Sequence, residues 1–210
     1  MPINLRERER AAIIDAAYRC VAEAGDEPVR MSTILANAGV SSRAFYRHFS
    51  SKDDLLLALV AQECDLLAAD LDRIADRDTD SPADQLAAWL ATMFEVSPEP
   101  RHRLRFAALD SDEVRAAAGY RDVRERCFAA RERSLARILT RGRLEGSLPS
   151  TDPEIDAMAI SALVSRVLVG QRTVDAEAFT RARIQVTEFA SRAVGAWLPM
   201  KSEVASSLRN

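Results

Sequence analysis

The sequence predicts an all-α fold, and three observations carry that expectation. Apolar residues recur at the i, i+3, i+4, i+7 spacing of a helix with one buried face. Only seven glycines and eight prolines punctuate 210 residues. Ala, Leu, Arg and Glu are abundant, and these side chains lose little rotamer freedom on a helix. Strands are expected to be rare or absent.

The first helix is expected over residues 6–24, with Ile14, Ala17, Tyr18 and Val21 as its stripe and Ile13 and Ala24 beside them. Gly25 follows as a left-handed C-terminal cap, and Asp26-Glu27-Pro28 reads as a loop. Two short helices, over 31–38 and 42–49, flank Gly39, with Ile34 and Leu35 facing inward. That arrangement is the helix-turn-helix pattern. Ser50 and Ser51 each precede an Asp by three residues, which opens the next helix like a capping box. Leu56, Leu59, Val60, Glu63 and Leu67 carry it to about residue 75, and the polar stretch 76–80 interrupts.

Ser81-Pro82 and Ser97-Pro98 each pair an N-cap with proline at the first helical position, so helices are expected over 82–95 and 98–109. A long helix over 110–143 carries Phe128, Leu135 and Leu139 on one face. After a loop at 146–150, Asp152 caps a helix over 153–171 that is apolar nearly all round: Ile155, Met158, Ile160, Leu163, Val164, Val167, Leu168. Such a helix needs burial on more than one side. Asp175 caps the last helix, striped by Phe179, Ala182, Val186, Phe189, Ala193 and Trp197. The tail from Lys201 is polar and is expected to fray.

Composition narrows the function. At 48% apolar the chain has a real core, and a net charge of -3 excludes an indiscriminate polycation. Charge distribution says more. No Asp or Glu falls between Pro28 and Lys52, while Arg30, Arg43, Arg47 and Lys52 do. Cys20, Cys64 and Cys127 are odd in number and widely spaced, so they read as small core residues, without a disulfide or zinc site, in a reducing cytoplasm. His48 and His102 give no metal motif, and no cofactor is expected. There is no signal peptide and no apolar run long enough for a membrane span. A soluble, cytoplasmic protein with no membrane partner is the expectation.

The register of several motifs then matters together: Ile13-Ile14-Asp15-Ala16-Ala17, Ala22-Glu23-Ala24-Gly25, Ile34, Ala38-Gly39-Val40-Ser41, and Phe45-Tyr46-Arg47-His48-Phe49-Ser50-Ser51-Lys52-Asp53-Asp54-Leu55-Leu56. This run resembles the tetracycline-repressor (TetR) family over about the first sixty residues. The rest resembles it only in helical layout. The resemblance implies an N-terminal three-helix helix-turn-helix domain followed by a helical ligand-binding and dimerisation domain, in a homodimer. The corresponding boundaries here are 1–55, 56–200 and a flexible tail at 201–210.

A major groove admits one helix, whose first turns reach base edges. The expected DNA-facing set is Arg30, Ser32, Thr33, Ser41, Ser42, Arg43, Ala44, Tyr46, Arg47, His48 and Lys52. Ser41 and Ser42 open the second short helix, where N–H groups and hydroxyls can meet phosphate or base. Arg43 is placed to read guanine or to hold phosphate, and Ala44 is small enough to touch a thymine methyl. By resemblance, Tyr46, His48 and Lys52 match backbone-contacting positions, and Arg47 a variable one facing the groove. Phe45 and Phe49 read as core. Arg30 stands where the family often has Ser or Thr, leaving a poorer cap or an added phosphate contact. Arg6, Arg8 and Arg10, interleaved with Glu7 and Glu9, form either a DNA-seeking arm or a solvated helix start.

In the second domain, Trp89, Met93, Phe94, Leu104, Phe106, Tyr120, Cys127 and Phe128 are candidates to line an apolar effector site, against the alternative of ordinary core packing. Arg131, with Arg105 and Arg166, is a candidate anchor. Ile155, Met158, Leu163, Val167, Phe179, Val186, Phe189 and Trp197 are candidates for a homodimer interface. No catalytic motif occurs, so an enzyme is not expected. A helical adaptor would explain the amphipathic stripes but not the acid-free helix-turn-helix. The expected function is a ligand-responsive regulator, a repressor more than an activator, holding a pseudo-palindromic operator and released by a small molecule.

Overall fold

All regular structure among the described residues is helical. The computed structural model describes residues 5–24, 27–94, 109, 111–169 and 176–198. In chain order the helices are α1 (Leu5–Ala24), α2 (Met31–Ala38), α3 (Ser42–Phe45), α4 (Lys52–Ala75), α5 (Pro82–Met93), α6 (Asp112–Ala116), α7 (Tyr120–Leu144), α8 (Pro153–Val169) and α9 (Ala176–Val194). The expected cap at Gly25, the helix over 98–109 up to Leu109, the cap at Asp175 and the tail lie outside the described residues.

The chain divides into two compact units that cut across both long helices. The first draws on Met1–Asp65 and Val96–Cys127, the second on Leu66–Glu95 and Phe128–Asn210. This division falls within α4, ten residues beyond the expected boundary at residue 55, and the first unit takes a later segment as well. The reason is packing: Val114, Ala117 and Val123 are buried in the same core as Ile13, Tyr18, Phe45, Leu55 and Leu59.

In the first unit, α1 buries the expected stripe plus Ile13, Ala16 and Cys20. Tyr18 is enclosed, and its hydroxyl lies 2.8 Å from the Leu59 carbonyl and 3.1 Å from Glu63 Oε1, both on α4. The start of α4 is capped by Ser51, whose Oγ accepts from the Asp54 N–H at 3.0 Å. Asp54 reaches back to the Ser50 N–H at 2.8 Å, closing the capping box one residue early.

The long helix expected over 110–143 is broken. Ser111 caps α6, and the chain leaves helical geometry at Ala117. Gly119 adopts φ +95°, where side chains are strained, and a Cβ there would also sit 3.1 Å from Leu57. The helix resumes at Tyr120.

The expectation of three unpaired cysteines is also corrected. Cys64 on α4 and Cys127 on α7 form a disulfide, with Cα atoms 5.5 Å apart, while Cys20 remains free and buried. Their separation of 63 residues left no local pattern to read.

The second unit packs α5, α8, α9 and the adjoining parts of α4 and α7 around Trp89, Leu90, Leu135, Leu139, Ile160, Val164 and Val186. Trp89 Nε1–H donates to Ser134 Oγ at 3.0 Å, which satisfies the indole on burial. Gln85, fully enclosed, donates from Nε2 to the carbonyls of Ile74, Ala75 and Arg77. It thereby closes the C-terminal end of α4, whose last carbonyls have no helical partner.

Candidate nucleic-acid interface

The helix-turn-helix is built by backbone requirements. Gly39 ends α2 with φ 65°, ψ 31°, and the N–H groups of Gly39 and Val40 close onto Ala36 and Leu35 carbonyls. A Cβ at Gly39 would meet nothing within 4 Å, so the glycine is needed for its dihedral alone. Ser41 caps α3 by accepting from the Ala44 N–H at 3.1 Å. That bond engages Ser41 Oγ with its own helix, so the hydroxyl is less open to DNA than expected.

After Phe45 the chain stays wound but tightens, with Arg47 and His48 N–H groups bonding three residues back. The regular helix is thus four residues, shorter than the expected 42–49. Phe45 and Phe49 anchor it from below, with ring centroids 5.6 Å apart. Ala44 is buried beside them, which corrects its expected place on the groove face.

Arg30, Ser32, Thr33, Ser41, Ser42, Arg43, Tyr46 and Arg47 are exposed along this motif. Arg30 occupies the N-cap of α2 and makes no side-chain cap bond. Tyr46 is 67% exposed, an unusual position for a tyrosine with no solvent-side covering, its ring edge-on to Phe45. Arg43 makes no hydrogen bond or ion pair among the described residues.

Arg47 and His48 are differently placed. The Arg47 Nη2 donates to both oxygens of Glu9, at 3.0 and 3.1 Å. His48 Nε2 lies 3.0 Å from Glu9 Oε2. An ionised carboxylate only accepts, so Nε2 carries the hydrogen in this pair. The His48 bond, with the Arg47 bond next, holds the Glu9 carboxyl below its ordinary value of 4.5. Arg47 and His48 therefore face an intramolecular carboxylate, which phosphate would have to replace.

Lys52 is engaged as well. Its Nζ donates to the Val29 carbonyl and to Glu113 Oε1, while Glu113 Oε2 accepts from the Val29 N–H at 3.1 Å. Asp53 accepts from the Ala118 N–H at 3.0 Å. Glu9, Asp53 and Glu113 went unremarked as site residues in the sequence. The first and third sit 38 and 61 residues from their cationic partners. Arg6, Arg8 and Arg10 lie on α1 itself rather than on an arm, and the Arg10 guanidinium stands 5.4 Å from the Phe49 ring centroid.

The expected effector residues divide. Trp89, Met93 and Phe94 are buried in the second unit's core, and Phe94 meets Phe179 edge-on at 5.9 Å. Phe128 and Arg131 also belong to that unit: the guanidinium stacks on the Phe128 ring at 4.7 Å and donates to Ser165 Oγ at 2.9 Å. Tyr120 and Cys127 belong to the first unit, where Cys127 is spent in the disulfide. Leu104, Arg105 and Phe106 lie outside the described residues.

The interface candidates divide too. Ile155, Met158, Phe189 and Trp197 are exposed, Trp197 by 80%. Leu163, Val167 and Phe179 are half-buried against the unit's own core, and Val186 is fully enclosed. Val186 is corrected to an internal residue, because α9 turns that face toward α8 and α5. No described helix is long and apolar enough to cross a membrane.

Residues 13–59 match the family described as bacterial regulatory proteins, tetR family. The chain is 33% identical over 95 residues to the HTH-type transcriptional regulator BetI of Brucella anthropi, covering 45% of this chain and 48% of that protein. It is 33% identical over 100 residues to the HTH-type transcriptional repressor Rv1474c of Mycobacterium tuberculosis, covering 44% and 51%. The chain thus spans about half the length of the curated relatives it matches. Among solved structures, a SmeT–triclosan complex aligns with a TM-score of 0.74 at 26% identity, covering 93% of this chain and 98% of that one. The FadR regulator of Bacillus subtilis with stearoyl-CoA shares the fold at a TM-score of 0.68 and 20% identity, covering 87% and 98%.

Proposed function

We propose that this chain, a member of the tetR family of bacterial regulatory proteins through its residues 13–59, is a transcriptional regulator that reads duplex DNA with the exposed face of α2 and α3. The observation that carries this is the state of Arg43: exposed, at the start of α3, and without a polar partner among the described residues. An arginine so placed can bond guanine O6 and N7 together, while Tyr46, Ser42, Thr33, Ser32 and Arg30 approach phosphates. Arg47, His48 and Lys52 join on exchanging carboxylate for phosphate.

The chain works as a two-fold homodimer on a pseudo-palindromic operator, since one copy presents one recognition segment. Ile155 and Met158 on α8, Phe189 on α9 and Trp197 just beyond its end support this reading, because exposed large apolar side chains fit a second copy. Occupying an operator represses without any further contact surface. An apolar or amphipathic small molecule, held in the second unit, lowers operator affinity. The SmeT–triclosan complex supports that part of the reading. Catalysis has no role in this account, and the protein acts in the cytoplasm, where the chromosome is.

Selection of bound duplexes from a random pool by the full chain tests the proposal. The expected result is an enriched sequence with two inverted half-sites about one helical turn apart. Recovery of unselected duplexes only, at every salt concentration, would overturn it.

A further inference from the structure

The Cys64–Cys127 disulfide belongs to no part of the reading above. A regulator at the chromosome works in a reducing compartment, where disulfides that form are usually transient and sensory. Neither cysteine is sealed in the core, since both are only half-buried, so small oxidants and thiols have access. Cys20, by contrast, is enclosed and accepts from Asn37 Nδ2–H at 3.1 Å.

The bond's position gives it something to control. Asp53, Leu57 and Cys64 fall on one face of α4, since eleven residues are close to three turns. Along that face, Asp53 meets the Ala118 N–H, Leu57 lies against Gly119, and Cys64 is joined to Cys127. One residue before Asp53, at the N-terminus of α4 and round the helix from that face, Lys52 is held by Glu113, whose helix α6 leads into the Ala117–Gly119 turn that Asp53 and Leu57 meet. The disulfide is the covalent end of a row whose other ties are one hydrogen bond and one packing contact, with the Lys52–Glu113 ion pair beside it between the same segments, each individually weak.

We infer that Cys64 and Cys127 form a reversible redox site, by which oxidation keeps Lys52 on Glu113 and reduction lets it reach DNA phosphate. The oxidant is a hydroperoxide. One cysteine sulfur attacks the peroxide, the O–O bond breaks, and the sulfur becomes a sulfenic acid as an alcohol leaves, carrying the thiol proton. The second thiol attacks that sulfur, the S–S bond forms and water departs. Two thiols and one hydroperoxide thus give one disulfide, one alcohol and one water, the two electrons passing from sulfur to oxygen. Two equivalents of a cellular thiol such as glutathione reverse the change by exchange through a mixed disulfide.

The output rests on the DNA-binding reading above. Each phosphate contact adds about 0.9 to the slope of log affinity against log salt. Two Lys52 side chains in a dimer should make the reduced form steeper by about two units and about tenfold or more tighter at 0.15 M salt.

The test uses the full chain in glutathione buffers of graded ratio. Alkylation with mass readout should show Cys64 and Cys127 converting together between the reduced and oxidised extremes, with Cys20 unchanged. Duplex binding measured across salt should follow that conversion, tighter and steeper when reduced. Cys127→Ser should bind like the reduced form under either condition, and Cys20→Ser should keep the response. Should Cys127→Ser fail to fold, the two redox forms of the unaltered protein still decide the matter. A pair that does not convert, or equal affinity and slope in both forms, would overturn the switch while leaving selective DNA binding standing. Conversion without selective binding in either form would instead sink the regulator reading, and this output with it.

Discussion

The exposed face of α2 and α3 and the exposed face of α8 and α9 are both helical surfaces left outside a core, and they differ in what they leave out. The first presents Arg43, Arg30, Tyr46 and hydroxyls; the second presents Ile155, Met158 and Phe189, with Trp197 just past the end of α9. Each unit buries its own apolar residues well, so neither surface is a leftover of poor packing. The difference teaches that exposure means little by itself, whereas its chemical kind bears on the partner: the proposed function assigns a polyanion to the first face and the same apolar face of a second copy to the other.

The largest expected effect tests the apolar face. Ile155→Asp with Met158→Asp should weaken dimerisation by about 4 kcal/mol or more, because each change occurs twice across a two-fold axis and leaves charges without partners. Sedimentation equilibrium should then show monomer at concentrations where the parent is dimeric. A parent that sediments as a monomer would remove the second half of the comparison.

Arg43→Ala addresses the polar face. It should cost about 1–3 kcal/mol on the selected duplex and little on scrambled DNA, if the side chain reads bases. Equal loss on both would make Arg43 a phosphate anchor. Gly39→Ala follows, and should destabilise the first unit by about 1 kcal/mol, through the left-handed dihedral and not through a clash. A urea midpoint unchanged by this substitution would contradict the backbone account of the turn.

Glu9→Gln has a smaller effect, but its sign is informative. Removing the carboxylate charge from Arg47 and His48 should raise affinity for any duplex by about two- to fivefold and steepen the salt dependence. A fall in affinity would show that Glu9 positions Arg47 rather than competing with phosphate. The same residue sets a pH dependence. A carboxyl held below 4.5 in the folded protein contributes stability that is full above that pH. The contribution is lost as pH falls through the depressed folded value. The difference in urea midpoint between parent and Glu9→Gln should therefore shrink as pH falls below 4.5.

What the sequence revealed follows from how far each signal reaches. The span of α4 was legible because Ser51 and Asp54 are three residues apart and its apolar stripe is continuous. The turn at Gly39 was legible for the same local reason. The break in the long helix was marked only by Gly119, which among three alanines before it passes for a tolerated residue. The acid-free stretch from 28 to 52 was real, yet Glu9 and Glu113 bring carboxylates to Arg47, His48 and Lys52 from elsewhere in the chain. Local composition therefore overstated the open positive charge: of Arg30, Arg43, Arg47 and Lys52, only Arg30 and Arg43 are without an ion pair among the described residues. The disulfide was illegible because an odd cysteine count with wide spacing carries no pairing.

Competition binding tests most directly whether α2 and α3 select duplex sequence. The full chain should hold its selected inverted-repeat duplex about a thousandfold or more tighter than a scrambled duplex of equal length at 0.15 M salt. Equal affinity for the two duplexes, varying only with salt, would contradict the claim.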